Sequence, residues 1–267
     1  MPVGQPPDRY SLSDYACASE SSLLPQTRKQ YLLSMKKKLL VGVGVVVGLI
    51  LVAGLGFLGY IWISGGSGQA SAPVEALRLE PQETESIVFE VDQTRSEARF
   101  IIDEVLRGRP NTVVGVTNQI DGSIAVGFDP VSLEIGEFVI NVRTIRTDDE
   151  VRDRTIRSMI LESNRDEFEF SRFAPRSVSG LPESVDHGAT FSFDVLGDLT
   201  IRDVTAPVTF EMTARIVSDS ELRGTAQTVV LWDDFDIVIP YVGGNSIVAS
   251  VGDSVTLEME FVALARE

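Results

Sequence analysis

The sequence predicts an all-β domain, an antiparallel β-barrel with a short capping helix, preceded by one N-terminal transmembrane helix. Three observations predict it. Residues 39–63 hold no charge and no proline. From Ser86 to the end, apolar and polar residues alternate with a period of two. One charge-dense, helix-like stretch, TIRTDDEVRDRTIRSMIL (Thr144–Leu161), interrupts that alternation.

Residues 1–38 are rich in Ser, Pro and Gln without a sustained period and read as a disordered cytoplasmic tail. Residues 39–63, LLVGVGVVVGLILVAGLGFLGYIWI, are long enough at about 1.5 Å per residue to cross a hydrocarbon core of roughly 30 Å. Tyr60 and Trp62 mark one interface; Lys36, Lys37 and Lys38 flank the other end and hold the N-terminus in the cytoplasm, so that the C-terminal part is exported. Ala70-Ser71-Ala72 resembles a cleavage site, but the apolar run exceeds the roughly 7–15 residues of a signal peptide and favours a retained anchor. Gly44 and Gly48 form one GxxxG, a spacing common in membrane helices that does not establish a homodimer. Residues 64–85, beginning SGGSGQASAP, read as a flexible linker.

Residues 86–267 form the exported domain. Rows at period two run through Ile87, Phe89 and Val91, through Ala98, Phe100 and Ile102, and through Phe138, Ile140 and Val142. Others run through Phe191, Phe193 and Val195, from Val208 to Ile216, and from Val255 to Ala263. Each reads as a half-buried antiparallel strand. Turns are predicted at Asp121-Gly122, Gly127 with Asp129-Pro130, Gly197-Asp198, Gly224 and Gly243-Gly244-Asn245. About eight such strands either stack as two sheets or close as a barrel. An immunoglobulin-type sandwich predicts a paired Cys, and the only cysteine is Cys17. A barrel leaves an open end for the helix to cover. In that helix Val151, Ile156, Met159 and Ile160 form the apolar face, while Arg152, Arg154 and Arg157 fall mainly on a solvated face with Glu150–Arg154 and Asp153–Arg157 as i,i+4 pairs.

Charge and motifs exclude several chemistries. The formal net charge is −16, and no Lys follows Lys38, which argues against a nucleic-acid partner. His187 is the only histidine and sits in a predicted turn, so neither a Ser-His-Asp system nor a His-rich metal site is expected. No EF-hand spacing, phosphate-cradling glycine loop or motif selecting a carboxylate pair is present. No catalytic residue, metal or cofactor is assigned, and the reading is not an enzyme. The apolar rows instead suggest a pore lined by Phe89, Phe100, Ile102, Phe138, Ile140, Val142, Phe191, Phe193, Phe210, Met212 and Phe261.

The same stretches resemble the YceI-like family. Thr147, Arg152-Asp153 and Ile156-Arg157-Ser158 resemble its Arg-Asp helix signature, and GDLTIRDVTAPVTFEM (Gly197–Met212) resembles its second signature, a hairpin. SIVFEVDQTRSEARFII and WDDFDI (Trp232–Ile237) lie where that family places its first strands and its late motif. The chain departs from the pattern at Asp166-Glu167, where Tyr-Pro is usual, at Trp232, where Arg is usual, and at Asp236, where Gly is usual. The resemblance implies a lipocalin-like barrel whose pore holds an isoprenoid or other long-chain lipid, such as a polyprenyl phosphate. Arg143, Arg146, Arg152 and Arg157 are candidates to meet its head group, since a guanidinium fork matches phosphate. The expected protein is a membrane-anchored, exported carrier of that lipid. A packed barrel acting as an interaction module, or an enzyme acting on a bound lipid, are the alternatives.

Overall fold

A computed structural model describes residues 24–81, 86–128, 130–185, 188–240, 242 and 248–266. His187, Asp129, Gly243-Gly244-Asn245 and the first 23 residues of the tail lie outside the described residues. The chain divides into two units, residues 1–57 and 58–267, each described by itself. In the first, helix α1 (Leu24–Ser64) carries the apolar run, and the stretch Met35–Ser64 is long and apolar enough to cross a membrane.

The second unit begins with the last turn of α1 and continues into thirteen strands. They are β1 (Ile87–Val91), β2 (Glu97–Leu106), β3 (Arg109–Thr117), β4 (Ile120–Asp121), β5 (Ser123–Phe128), β6 (Val131–Ile135) and β7 (Phe138–Asn141). After helix α2 (Glu150–Thr155) come β8 (Phe170–Ser179), β9 (Thr190–Ile201), β10 (Val204–Ser218), β11 (Glu221–Leu231), β12 (Val248–Val251) and β13 (Ser254–Ala265). All ladders are antiparallel, as short connections between sequential strands require. The pairings run β4-β7-β8-β9-β10-β11-β13, and β13 also pairs β2, which pairs β3. A bridge from Val116 on β3 to Arg146, in the segment that follows β7, ties one end of that path to the neighbourhood of the other, so the sheet curls round its own apolar face in a lipocalin-like fold.

Two predicted turns fall inside strands. Gly197 sits in β9 and Gly224 in β11, and each lies under an aromatic ring. A Cβ on Gly224 would stand 2.4 Å from the ring of Phe261, its register partner on β13. These glycines make room for rings rather than reversing the chain. The reversals occur instead at Arg202-Asp203, where Arg202 takes a φ of 57°, and at Asp219-Ser220.

The capping helix forms where predicted, with different faces. Asp149 caps α2 by accepting from the Arg152 amide, and the helix widens at its exit into a π turn over Ile156–Ile160. Glu150 pairs with Arg154 at 2.8 Å. The expected Asp153–Arg157 pair does not form as a salt bridge among the described residues: Asp153 turns back to accept from the amide and hydroxyl of Thr147. Val151 is exposed, whereas Arg157 is only 2% exposed. The π turn rotates the second half of the helix relative to the first, so a single 3.6-residue stripe does not describe both.

Of residues 64–85, read from composition as a flexible linker, the described 64–81 lie as a strap along the barrel. Arg154 Nη1 donates to the carbonyls of Trp62 and Gly66, Arg157 Nε to Gly65, and Arg146 Nη2 to Ser67 and Gly68. The Arg154 guanidinium stacks 3.9 Å over the Trp62 ring. Further along, the Ser71 amide donates to Glu169 at 2.8 Å, the Ala76 amide to Asp121 at 2.6 Å, and Val74 is buried.

Candidate functional site: an apolar cavity in the barrel

Register sets the level of each inward side chain. Met212 on β10 faces Ala226 on β11, Ala226 faces Met259 on β13, Met259 faces Ala98 on β2, and Ala98 faces Thr117 on β3. These five positions form one level across five adjacent strands, and all five line a cavity of about 220 Å3. Two alanines in that level hold the floor open, where larger side chains would meet across the axis. Above it the walls are Phe100 and Ile102 on β2, Phe138 and Ile140 on β7, Val142, Phe173, Leu199 and Phe210. The rings of Phe173 and Phe210 meet edge to face at 4.9 Å.

Seven of the eleven predicted pore residues therefore face the hollow: Phe100, Ile102, Phe138, Ile140, Val142, Phe210 and Met212. Phe89, Phe191, Phe193 and Phe261 do not. They are buried in the packed core, with Phe191 and Phe193 stacked at 5.7 Å. Phe191 faces Ala214, and Phe261 faces Gly224, one inward step beyond the floor level. Alternation assigns the inward face of a strand, but the height along the axis decides whether an inward ring meets hollow or core.

The helix closes part of the upper end through Ile156, Ile160 and Leu161. A second cover was missed. The segment after β11 opens with a 3-10 turn, Trp232–Phe235, and runs on to Pro240. Trp232, Phe235, Ile237 and Ile239 all line the cavity, while Asp236 and Val238 point away. The period-two spacing of Phe235, Ile237 and Ile239 was the available signal. Asp236, at the position where the resemblance expects Gly, has a φ of 50°, a left-handed backbone that Asp tolerates better than most residues.

None of the four head-group candidates lines the cavity. Arg143 is buried, with Nε on the carbonyl of Ser163 at 2.6 Å, Nη2 on Asp166 at 2.7 Å and Nη1 on Glu169 at 3.0 Å. Arg146 and Arg157 hold the strap. Arg152 pairs with Asp148 and reaches Glu104 at 3.4 Å. Burial pushes the Arg157 guanidinium below its ordinary pKa, and the nearby Arg146 adds to that. The charged side chains that do line the cavity are Arg99, Arg172 and Glu258; Arg99 lies 2.5 Å from Glu260 and Arg172 lies 3.0 Å from Glu137. Among the described residues no cluster of three or more His, Cys, Asp or Glu could hold a metal ion.

Comparison with known proteins adds a family. The model of the YceI-like domain matches residues 89–263. No curated protein matches this chain. Among solved structures, a polyisoprenoid binding domain from Saccharophagus degradans is 13% identical with a TM-score of 0.49, covering 67% of this chain and 98% of its own. Burkholderia cenocepacia BcnA is 16% identical with a TM-score of 0.48, covering 64% and 98%. The Campylobacter jejuni YCEI protein is 10% identical with a TM-score of 0.41, covering 76% and 96%.

Proposed function

Because the chain belongs to the YceI-like family and its barrel is hollow and apolar above the floor level, we propose that it is a membrane-anchored, exported lipid-binding protein that holds an isoprenoid-type amphiphile in that hollow. The observation that carries this reading is the lining: side chains from nine strands, the helix and the Trp232–Pro240 segment converge on one space, and almost all are hydrocarbon. Such a space binds by desolvation alone, at about 0.8 kcal/mol per methylene. A ten-carbon stretch would supply on the order of 8 kcal/mol before ordering costs, with no catalytic group required. Family membership supports an isoprenoid over an unbranched chain. The helix Met35–Ser64 supports anchoring, and Lys36–Lys38 support an inside N-terminus.

The size of the hollow favours holding part of a chain. An engineered cavity of about 150 Å3 accepts benzene, so 220 Å3 suits a segment of several carbons rather than a long polyprenol with both covers in place. The test is native mass spectrometry and organic extraction of the full chain purified in mild detergent. A bound amphiphile of defined mass is expected. Protein that remains empty after incubation with prenyl alcohols and their phosphates would overturn the reading.

A further inference from the structure

The wall of the cavity is not laddered all the way up. β10 pairs with β9 along its length from Val204 to Arg215, and β11 pairs with β13 from Glu221 to Leu231. Between β10 and β11 themselves the ladder stops at Glu211↔Gln227. Above that point, among the described residues, 204–210 and 228–231 share no strand pairing. Pro207 lies in this stretch, and proline in a sheet is confined to edges and bulges because it has no N–H to give. The upper halves of β10 and β11 are two edges facing one another.

The Trp232–Pro240 segment lies beside this opening, its 3-10 turn against both β10 and β11. It contributes Trp232, Phe235, Ile237 and Ile239 to the cavity, yet its hydrogen bonds among the described residues are local or tie its first residue to the far side of β11: Trp232 N to Asp253, Trp232 Nε1 to Gly252, Asp236 N to Asp233 and Ile237 N to Trp232. Among the described residues none joins it to β10. The outer rim here is apolar. Val229 is 60% exposed, Leu231 47% and Val238 72%, in a domain whose surface is otherwise strongly acidic. Val229 and Leu231 stand two apart on β11, so they share its outer face, and exposed apolar residues beside an apolar hollow mark a place where hydrocarbon passes or docks.

We propose that the seam between the upper halves of β10 and β11 is a lateral portal for the lipid chain, that Trp232–Pro240 is its displaceable plug, and that Val229, Leu231 and Val238 form a lip that meets the surface of a lipid bilayer. Parting this seam breaks no ladder bond, whereas parting the wall at β9–β10 or β11–β13 breaks many. The partner is the bilayer because the same chain carries a helix able to span one, which keeps bilayer lipid at high local concentration. The proposal rests on the lipid-binding reading and adds the route.

The test uses the full chain in lipid nanodiscs and a dansylated farnesyl amphiphile offered from phosphatidylcholine vesicles. Continuing the register from Glu211↔Gln227 sets Thr209 opposite Val229, so Thr209→Cys with Val229→Cys, in a Cys17→Ser background, locks the seam on oxidation. Oxidation should slow uptake at least about tenfold, and reduction should restore it, as for a gated site. A second variant, Val229→Asp with Leu231→Asp and Val238→Asp, should slow transfer by a similar factor while leaving the amount bound at equilibrium unchanged. Uptake at the same rate in the oxidised and reduced protein, with the disulfide verified, overturns the portal; transfer by the triple-Asp variant at the unmodified rate overturns the lip. Absence of uptake by the unmodified chain overturns the lipid-binding reading itself.

Discussion

The strap is held by a buried carboxylate, and removing that carboxylate tests whether the strap belongs to the folded domain. Glu169 is 0% exposed. It accepts from the Ser71 amide at 2.8 Å, from the Ser71 hydroxyl, from Asn141 Nδ2 at 2.7 Å and from Arg143 Nη1 at 3.0 Å. Glu169→Ala strands a buried guanidinium and a buried amide. Breaking a buried ion pair from one side costs about 3–5 kcal/mol. Arg143 keeps the carbonyl of Ser163 and the exposed Asp166, which places its share at the lower end. The orphaned Asn141 amide adds about 1 kcal/mol, for a total near 4 kcal/mol. At about 2–4 °C per kcal/mol for a unit of this size, the melting temperature should fall by roughly 8–16 °C. Thermal melts by circular dichroism on the full chain in detergent measure this, and limited proteolysis should show new cleavage between residues 64 and 80. Ser71→Ala, which removes only the strap's hydroxyl, should cost about 1 kcal/mol. A drop below about 3 °C for Glu169→Ala, with the strap still resistant, would refute the inference that Glu169 fastens it.

Three further outcomes are expected. Ala226→Phe places a ring on the floor of the hollow, so bound lipid should be lost while the melting temperature holds or rises, as for other cavity-filling changes; mass spectrometry and melting on one preparation check both. Gly224→Ala puts a Cβ 2.4 Å from the Phe261 ring and 2.5 Å from the Thr213 carbonyl, and should destabilise by about 1–3 kcal/mol in chemical denaturation. Bonds from Arg95 and then Arg223 hold the Glu221 carboxyl below its ordinary 4.5, and Thr94 holds Asp92 down in the same way. A pKa lowered on folding stabilises fully above the unfolded value and is lost as pH falls through the folded one, so stability should decline below about pH 4.5 and Arg95→Met should remove part of that decline. An unchanged acid profile in the variant would contradict the assignment to Glu221.

The apolar helix, the strands and the cap were legible because each rests on a local pattern: an uncharged run, a period of two, and a charged segment opened by Asp-Asp-Glu. What was not legible depends on distant register. Phe193 and Phe210 look alike in sequence, two inward Phe on neighbouring strands, yet Phe193 is core and Phe210 is wall. Gly197 and Gly224 signal turns locally, and only the rings of Phe173 and Phe261 across the sheet turn them into strand positions. Arg157 looks solvated on a helical wheel because the carbonyl it serves, that of Gly65, is 92 residues earlier in the chain.

That burial explains why the helix is dense in arginine. Arg146, Arg154 and Arg157 together reach the carbonyls of Trp62, Gly65, Gly66, Ser67 and Gly68. A lysine offers a single point charge, whereas a guanidinium presents five donors in a fixed fork and can serve two carbonyls at once. The turn of helix that carries Ile156 and Ile160 into the cavity is thus fastened from outside by the strap. Of the two covers over the hollow, the helix is tied by charge-assisted hydrogen bonds and the Trp232–Pro240 segment chiefly by apolar side chains in the space it covers. A hydrocarbon chain can replace those side chains contact for contact, but it offers nothing to replace the strap's carbonyls. The cover that yields to a lipid is therefore the plug, and the helix stays shut.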